Sequence, residues 1–263
     1  GARITHVATV GGSMVGATFA RAVVDTFTID SALARGVDFS NATLTGLSLI
    51  GADLTGAKFT SAALTTTTFD GAFVVGTDFT KTTWSGGSFQ NVQAYSSGTP
   101  DTTTSFAGCT IASGSFENAL FMESVFDQCH LQGGSFGGSN FVAASFNGVT
   151  NVADGTGSAL SFAGAVMLGT KFPSATFDRV SLLDAVFSTG PGSIVVTAVT
   201  VPAGATSPAQ SAGLSYHYRA SVLPASTTTL TTCPNGHLGP CTGSAWLPRT
   251  PPISTGTPDP NSF

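Results

Sequence analysis

Between Gly51 and Asp70 the chain reads GADLT, GAKFT, SAALT, TTTFD, with a Leu or Phe at every fifth position. The spacing continues on both sides. Phe19, Val24, Ile29, Ala34, Phe39, Leu44, Leu49, Leu54, Phe59, Leu64, Phe69, Val74, Phe79, Trp84, Phe89 and Ala94 all fall on it. Two residues before most of these centres sits a small residue, as at Ala22, Ala42, Ala52, Ala57 and Ala72; Phe27 and Leu47 depart from this. A helix repeats its faces about every 3.6 residues and a strand every 2, so neither puts every fifth side chain on one side. A square coil does. If each unit forms one side, four units make a turn of about twenty residues, and successive turns stack as parallel strands about 4.8 Å apart. The centre and the small residue before it point inward, and the residues flanking the centre point outward.

The count breaks by two residues at "YSSGTPDTTT" (95–104) and resumes at Phe106, Ile111, Phe116, Phe121, Phe126, Leu131, Phe136, Phe141, Phe146 and Asn151. It slips by one more at "ADGTGSA" (153–159) and ends with Phe162, Met167, Phe172, Phe177, Leu182 and Phe187. Trp84, in a column with Leu44 and Leu64, is expected to wedge the core and help force the first break. The twenty-residue period predicts ladders of buried rings: Phe39, Phe59 and Phe79 in one, Phe106, Phe126 and Phe146 in another.

The units GADLT, GAKFT and GVDFS resemble the A-[D/N]-[L/F]-x-x repeat of the pentapeptide-repeat family, over about residues 17–187. Here the middle position of the triplet is often Ser, Thr or Ala instead of Asp or Asn. The resemblance implies an all-β fold, a right-handed quadrilateral parallel β-helix. It says little about function, because members of the family do different things. Some resemble DNA and protect gyrase, which would require acidic residues tracking one face of the rod.

Four segments follow from this register: an N-terminal strand or arm (1–16), the β-helix (17–189), strands and a Cys loop (190–247), and a Pro-rich tail (248–263). "RITHVATV" (3–10), "SIVVTAVTV" (193–201) and "SYHYRASVL" (215–223) read as strands from their Val, Thr and Tyr content. Eleven of the thirteen prolines lie beyond position 190, and the tail holding the last of them cannot be helical.

Charge is sparse. Only 9% of the 263 residues are charged, the net charge is −5, and mean hydropathy is +0.28. No acidic or basic block suits a nucleic-acid partner, and no apolar run reaches the length of a membrane span. The chain opens on Gly1, which a removed signal peptide or a trimmed terminus would each explain.

Candidate chemistry is limited. Cys233 and Cys241 bracket Pro-Asn-Gly and Gly-Pro, a chain-reversing loop suited to a disulfide; a zinc site using Cys233, His237, Cys241 and His217 is the alternative, on a spacing that matches no standard finger. Cys109 and Cys129, twenty apart at the small inward position, should lie one above the other. Their separation permits a disulfide, but parallel Cβ atoms are poorly aimed, which favours buried thiols. His6, His130, His217 and His237 stand in no nucleophile–base–carboxylate context. No catalytic, cofactor-binding or metal-binding residue and no small-molecule substrate is assigned.

These features suggest a non-catalytic structural protein, extracellular or at the cell surface: a subunit of a self-assembling fibre or surface layer. Copies of itself are the expected partners, stacking head to tail through Arg3, Ile4, Val7 and Val10 at one end and Trp246 and Phe263 at the other. The open strand edges of a solenoid without a clear cap support that expectation. Two alternatives stand beside it. One is a DNA-mimicking gyrase-binding protein. The other is an ice-binding β-solenoid using the outward hydroxyls around Thr43, Thr45, Thr65, Thr83 and Ser85.

Overall fold

The structure, a computed structural model, describes residues 2–94, 103–151, 160–172, 174–177, 180–187, 192–196, 214–218, 226–227, 233–234 and 241. Among them there is no helix. One seven-stranded parallel sheet forms a side of the rod: β1 (Arg3–Val10), β2 (Val23–Asp30), β3 (Thr43–Thr45), β4 (Ala63–Thr65), β5 (Thr83–Ser85), β6 (Thr110–Ile111) and β7 (His130–Leu131). Val24, Leu44 and Leu64 lie in register on one another, twenty residues apart. Three further columns of parallel bridges complete the square, running through Thr28, Ser48 and Thr68, through Ser13, Leu33 and Asp53, and through Thr18, Asp38 and Lys58. The chain is a right-handed four-sided β-helix.

Each corner follows from the local sequence. In Leu54–Thr55–Gly56–Ala57 the Ala57 amide donates to the Leu54 carbonyl at 2.8 Å, and Gly56 has φ +67°. A four-residue turn with positive φ at its third residue favours Gly or Asn there. This is why so many units begin with Gly, and why Asn41, Asn91 and Asn118 replace it elsewhere. The Gly56 amide then donates to Val75 of the next coil at 2.9 Å, so the corner also joins two coils.

The core is a stack of rings. Phe19, Phe39, Phe59, Phe79, Phe106, Phe126, Phe146 and Phe172 form one unbroken ladder, with centroids 4.6–5.1 Å apart. A second runs through Phe69, Phe89, Phe116, Phe136 and Phe162. Rings from the two columns meet edge to face, as for Phe59 and Phe69 at 5.5 Å and 72°, a favoured aromatic geometry.

Three details differ from the sequence reading. The coil register begins at Arg3, not near Ala17, because β1 pairs in parallel with β2 from Arg3↔Val23 to Val10↔Asp30. Thr9 and Gly12, at a centre and a small position, obscure the pattern there. The two breaks also leave the ladders whole. Asp78 bridges Ser105, and Ser135 bridges Ser161, so seven and six extra residues are passed off at corners. The sequence count of two and one missed a whole unit each time. Trp84, finally, continues the Leu64 column into Ile111. It is buried, and its Nε1 donates to Thr82 Oγ1 at 2.7 Å.

Buried polar groups at the small inward position follow a rule of their own. Thr77 Oγ1 donates to Leu54 O, Ser139 Oγ to Phe116 O and Cys129 Sγ to Phe106 O, each to the residue 23 positions earlier. The acceptor is a corner carbonyl with a second lone pair to satisfy. Ser124 Oγ has no such partner among the described residues; at the corner below it, the Ala94 carbonyl accepts from Thr104 Oγ1.

Candidate functional site: the outer faces and the two ends of the rod

The outer faces bear single polar residues tied into the coil. Asp127 accepts from Ser145 Oγ at 2.6 Å and from the Asn147 amide at 2.9 Å, both in the following coil. Asp30 does the same with Ser48 and Ile50, and Asp70 with Ser88 and Gln90. These carboxylates join neighbouring coils. Replacing Asp127 with Ala should lower stability by about 1.5–3 kcal/mol, the range for hydrogen bonds to a charged group; urea denaturation checks it.

The charges do not form a stripe. Asp25 lies on the β1–β7 side, while Asp38, Lys58 and Asp78 alternate in sign along another column. Arg35 Nε meets Asp53 Oδ2 at 2.6 Å on a third side. Hydrogen bonds from the Ser40 hydroxyl and amide hold the Asp38 carboxyl below its usual range. Partial burial raises Asp78, but bonds from Thr60 and Thr80, with Lys58 nearby, outweigh it and leave the carboxyl below the usual range.

The hydroxyls at Thr43, Thr45, Thr65, Thr83 and Ser85 are all exposed on the β1–β7 side. Their columns run into Asp25 at one end and Ala112 and His130 at the other. His130 Nδ1 lies 2.6 Å from Thr150 Oγ1. Cys109 and Cys129 are buried free thiols. Burial, and then the neighbouring Cys129, push the Cys109 thiol well above its usual range.

At the N-terminal end, β1 has β2 as its one strand neighbour among the described residues. Arg3 and His6 are exposed, and Ile4, Met14 and Phe19 are half-buried against the core. Val10 and Val15 are 74% and 60% exposed. Leu33 and Ile50 are exposed as well. Val7 lies in β1 opposite Phe27.

The C-terminal end is arranged differently. After β8 (Val166–Met167), β9 (Thr176–Phe177) and β10 (Val186–Phe187) come β11 (Gly192–Val196) and β12 (Leu214–Tyr218), which pair with each other as an antiparallel hairpin. β13 (Ser226–Thr227) then pairs in parallel with β9. The Asp184 amide donates to the Pro234 carbonyl at 2.9 Å. Cys233 and Cys241 are disulfide-bonded, with Cα atoms 5.5 Å apart, and both are buried within the main core. The zinc alternative is thereby replaced, because both sulfurs are in one covalent bond. Ser226, Thr227 and Pro234 thus lie against residues of the last coil, Thr176, Phe177 and Asp184. Trp246, Phe263, His237 and the tail 248–263 lie outside the described residues.

Sequence reasoning did not foresee this return of the chain.

Residues 31–61 match the family model of pentapeptide repeats, in eight copies. No curated protein matches the chain. Among solved structures it is similar to HetL, a pentapeptide repeat protein involved in heterocyst differentiation regulation from the cyanobacterium Nostoc sp. strain PCC 7120, at 13% identity and a TM-score of 0.38, over 90% of this chain and 92% of that one. It is also similar to a trypsin-treated variant of QnrB1, a plasmid-mediated fluoroquinolone resistance protein, at 16% identity and a TM-score of 0.43, over 70% and 83%. Nothing about function is carried over from either. The register that matches the family model between residues 31 and 61 is the one that winds the rod from Arg3 to Phe187, so the chain carries pentapeptide repeats and is folded as their quadrilateral β-helix.

Proposed function

We propose that the protein is a non-catalytic structural rod, extracellular or at the cell surface, that associates with copies of itself through the edge of its first coil. The observation that carries this reading is β1: an eight-residue strand with one strand neighbour among the described residues, beside exposed Val10 and Val15. Unpaired strand edges and exposed apolar side chains both favour association. The Cys233–Cys241 disulfide supports an oxidising compartment. What repeats from coil to coil is the core, while the outer faces change from hydroxyls to single charges to apolar groups. A rod selected for its stiffness has this character. The DNA-mimicking alternative gains no support, because the carboxylates are spread over different sides and many are bonded into the coil.

The test is light scattering and electron microscopy of protein prepared without reductant, over a wide concentration range. Wild type should form dimers or longer assemblies. Val10→Lys should shift them towards monomer with the β-sheet circular dichroism unchanged, since Lys on an edge strand opposes further pairing. A wild-type protein that stays monomeric at the highest concentration would exclude the self-association reading.

A further inference from the structure

We propose that Asn41 is an attachment site for an N-linked glycan. The inference rests on the extracellular reading, because this modification is made in a secretory compartment. In Asn41-Ala42-Thr43 a hydroxyl residue stands two positions after an Asn, and none of the chain's other asparagines has one there. An Asn, any residue but Pro, then Ser or Thr is the acceptor sequence for this modification. The rod presents it on the outside. Asn41 is the third residue of the corner Phe39–Ser40–Asn41–Ala42, where the Ala42 amide donates to the Phe39 carbonyl at 3.0 Å. Its φ is +58°, a conformation that Asn adopts more readily than most residues. Gly108 and Gly148 hold the same position in later coils, so the corner needs the backbone of Asn41 and not its amide group. Among the described residues the Asn41 side chain makes no hydrogen bond. It is exposed, as are Thr43 and, at the same corner of the adjoining coils, Arg21 and Ser61. Asn91 and Asn118 are exposed corner residues with φ +57° and +55°, but Gln93 and Leu120 stand where the hydroxyl is needed.

The step needs a lipid-pyrophosphate-linked oligosaccharide and the membrane transferase that uses it. Asn41 Nδ2 bonds to C1 of the first sugar, and the bond from C1 to the pyrophosphate oxygen breaks. The electron pair of that bond leaves with the lipid pyrophosphate, and the proton lost from Nδ2 passes to a base of the transferase. Nothing is oxidised or reduced. Asn41 and Thr43 flank Ala42, which points into the core, so the acceptor and the hydroxyl that marks it share the outer surface. Attached there, the glycan stands between the Asp38–Lys58 column and the β1–β7 side and screens both from neighbouring rods.

Translation of the full chain into microsomes behind a cleavable signal peptide tests this, with protease-protected chains alone scored. The protected chain should carry one glycan, and peptide N-glycosidase should remove it and leave the mass of an aspartate at position 41. Asn41→Gly keeps the corner and should abolish the modification. Thr43→Val should abolish it too, and Thr43→Ser should restore it. A protected chain that stays unmodified, or a glycan that survives Asn41→Gly, would overturn the inference. Mass spectrometry of the same chains reads the Cys233–Cys241 pair. An unmodified chain with that disulfide formed overturns the glycan and leaves the extracellular reading standing. A modified chain with free thiols there supports the glycan and counts against that reading.

Discussion

Phe59→Asp should abolish folding of the rod. Phe59 is fully buried, between Phe39 at 5.1 Å and Phe79 at 5.0 Å, with the edge of Phe69 at 5.5 Å. Losing a core Phe costs about 3–5 kcal/mol by truncation alone. A carboxylate in its place has no cation within the ladder, and an unpaired buried charge adds several kcal/mol or forces protonation. Together these approach the whole stability of an ordinary domain, about 5–15 kcal/mol. Phe59→Leu, which keeps the site apolar, should fold with reduced stability. Circular dichroism and urea denaturation of the pair decide the matter. A soluble, cooperatively melting Phe59→Asp protein would show that Phe59 does not face a dry core.

Gly87→Ala should be the most damaging change of a single methyl group. Gly87 has φ +103°, and a Cβ there would lie 2.3 Å from the Thr67 carbonyl oxygen and 3.1 Å from the Thr67 nitrogen, both backbone atoms of the coil below. Neither can move without breaking the coil-to-coil bond that the Ser88 amide makes to the same carbonyl. Strain at such a φ and a backbone overlap together should cost about 3 kcal/mol or more. Gly56→Ala is the matched control. Its φ is +67°, and nothing lies within 4 Å of the added carbon. Only the left-handed conformation opposes it, at about 1 kcal/mol. Urea midpoints of the two variants measure the difference, and equal destabilisation would mean that the close approach of the coils at Thr67 is not real.

The centres were legible in the sequence because a five-residue period fits no single helix or strand. Once Phe39, Phe59 and Phe79 are put twenty apart, the square coil and its inward faces follow. Gly87 was not legible: it occupies a small inward position where Leu47 and Thr67 precede it, and only the spacing between backbones reveals that no Cβ fits. The start at Arg3 was hidden because Thr9 and Gly12 lack apolar bulk, although the hydrogen bonds of the coil do not require it. The insertions were undercounted for a related reason. A loop that leaves and returns at the same corner skips no side of the rod, so the pattern alone cannot separate seven added residues from two. Position 233 shows the same limit at longer range. Pairing of Ser226 with Thr176 joins segments fifty residues apart, and no periodicity spans that distance.

The most direct test of the coil is nuclear magnetic resonance detection of couplings through its hydrogen bonds. The account predicts coupling from the Phe126 amide nitrogen to the Ser145 carbonyl carbon, from Phe106 to Val125, and, across the first insertion, from Phe79 to Ser105. Coupling from Phe79 to Gly98, the partner an uninterrupted count would give, or from these amides to carbonyls four residues earlier, would contradict it.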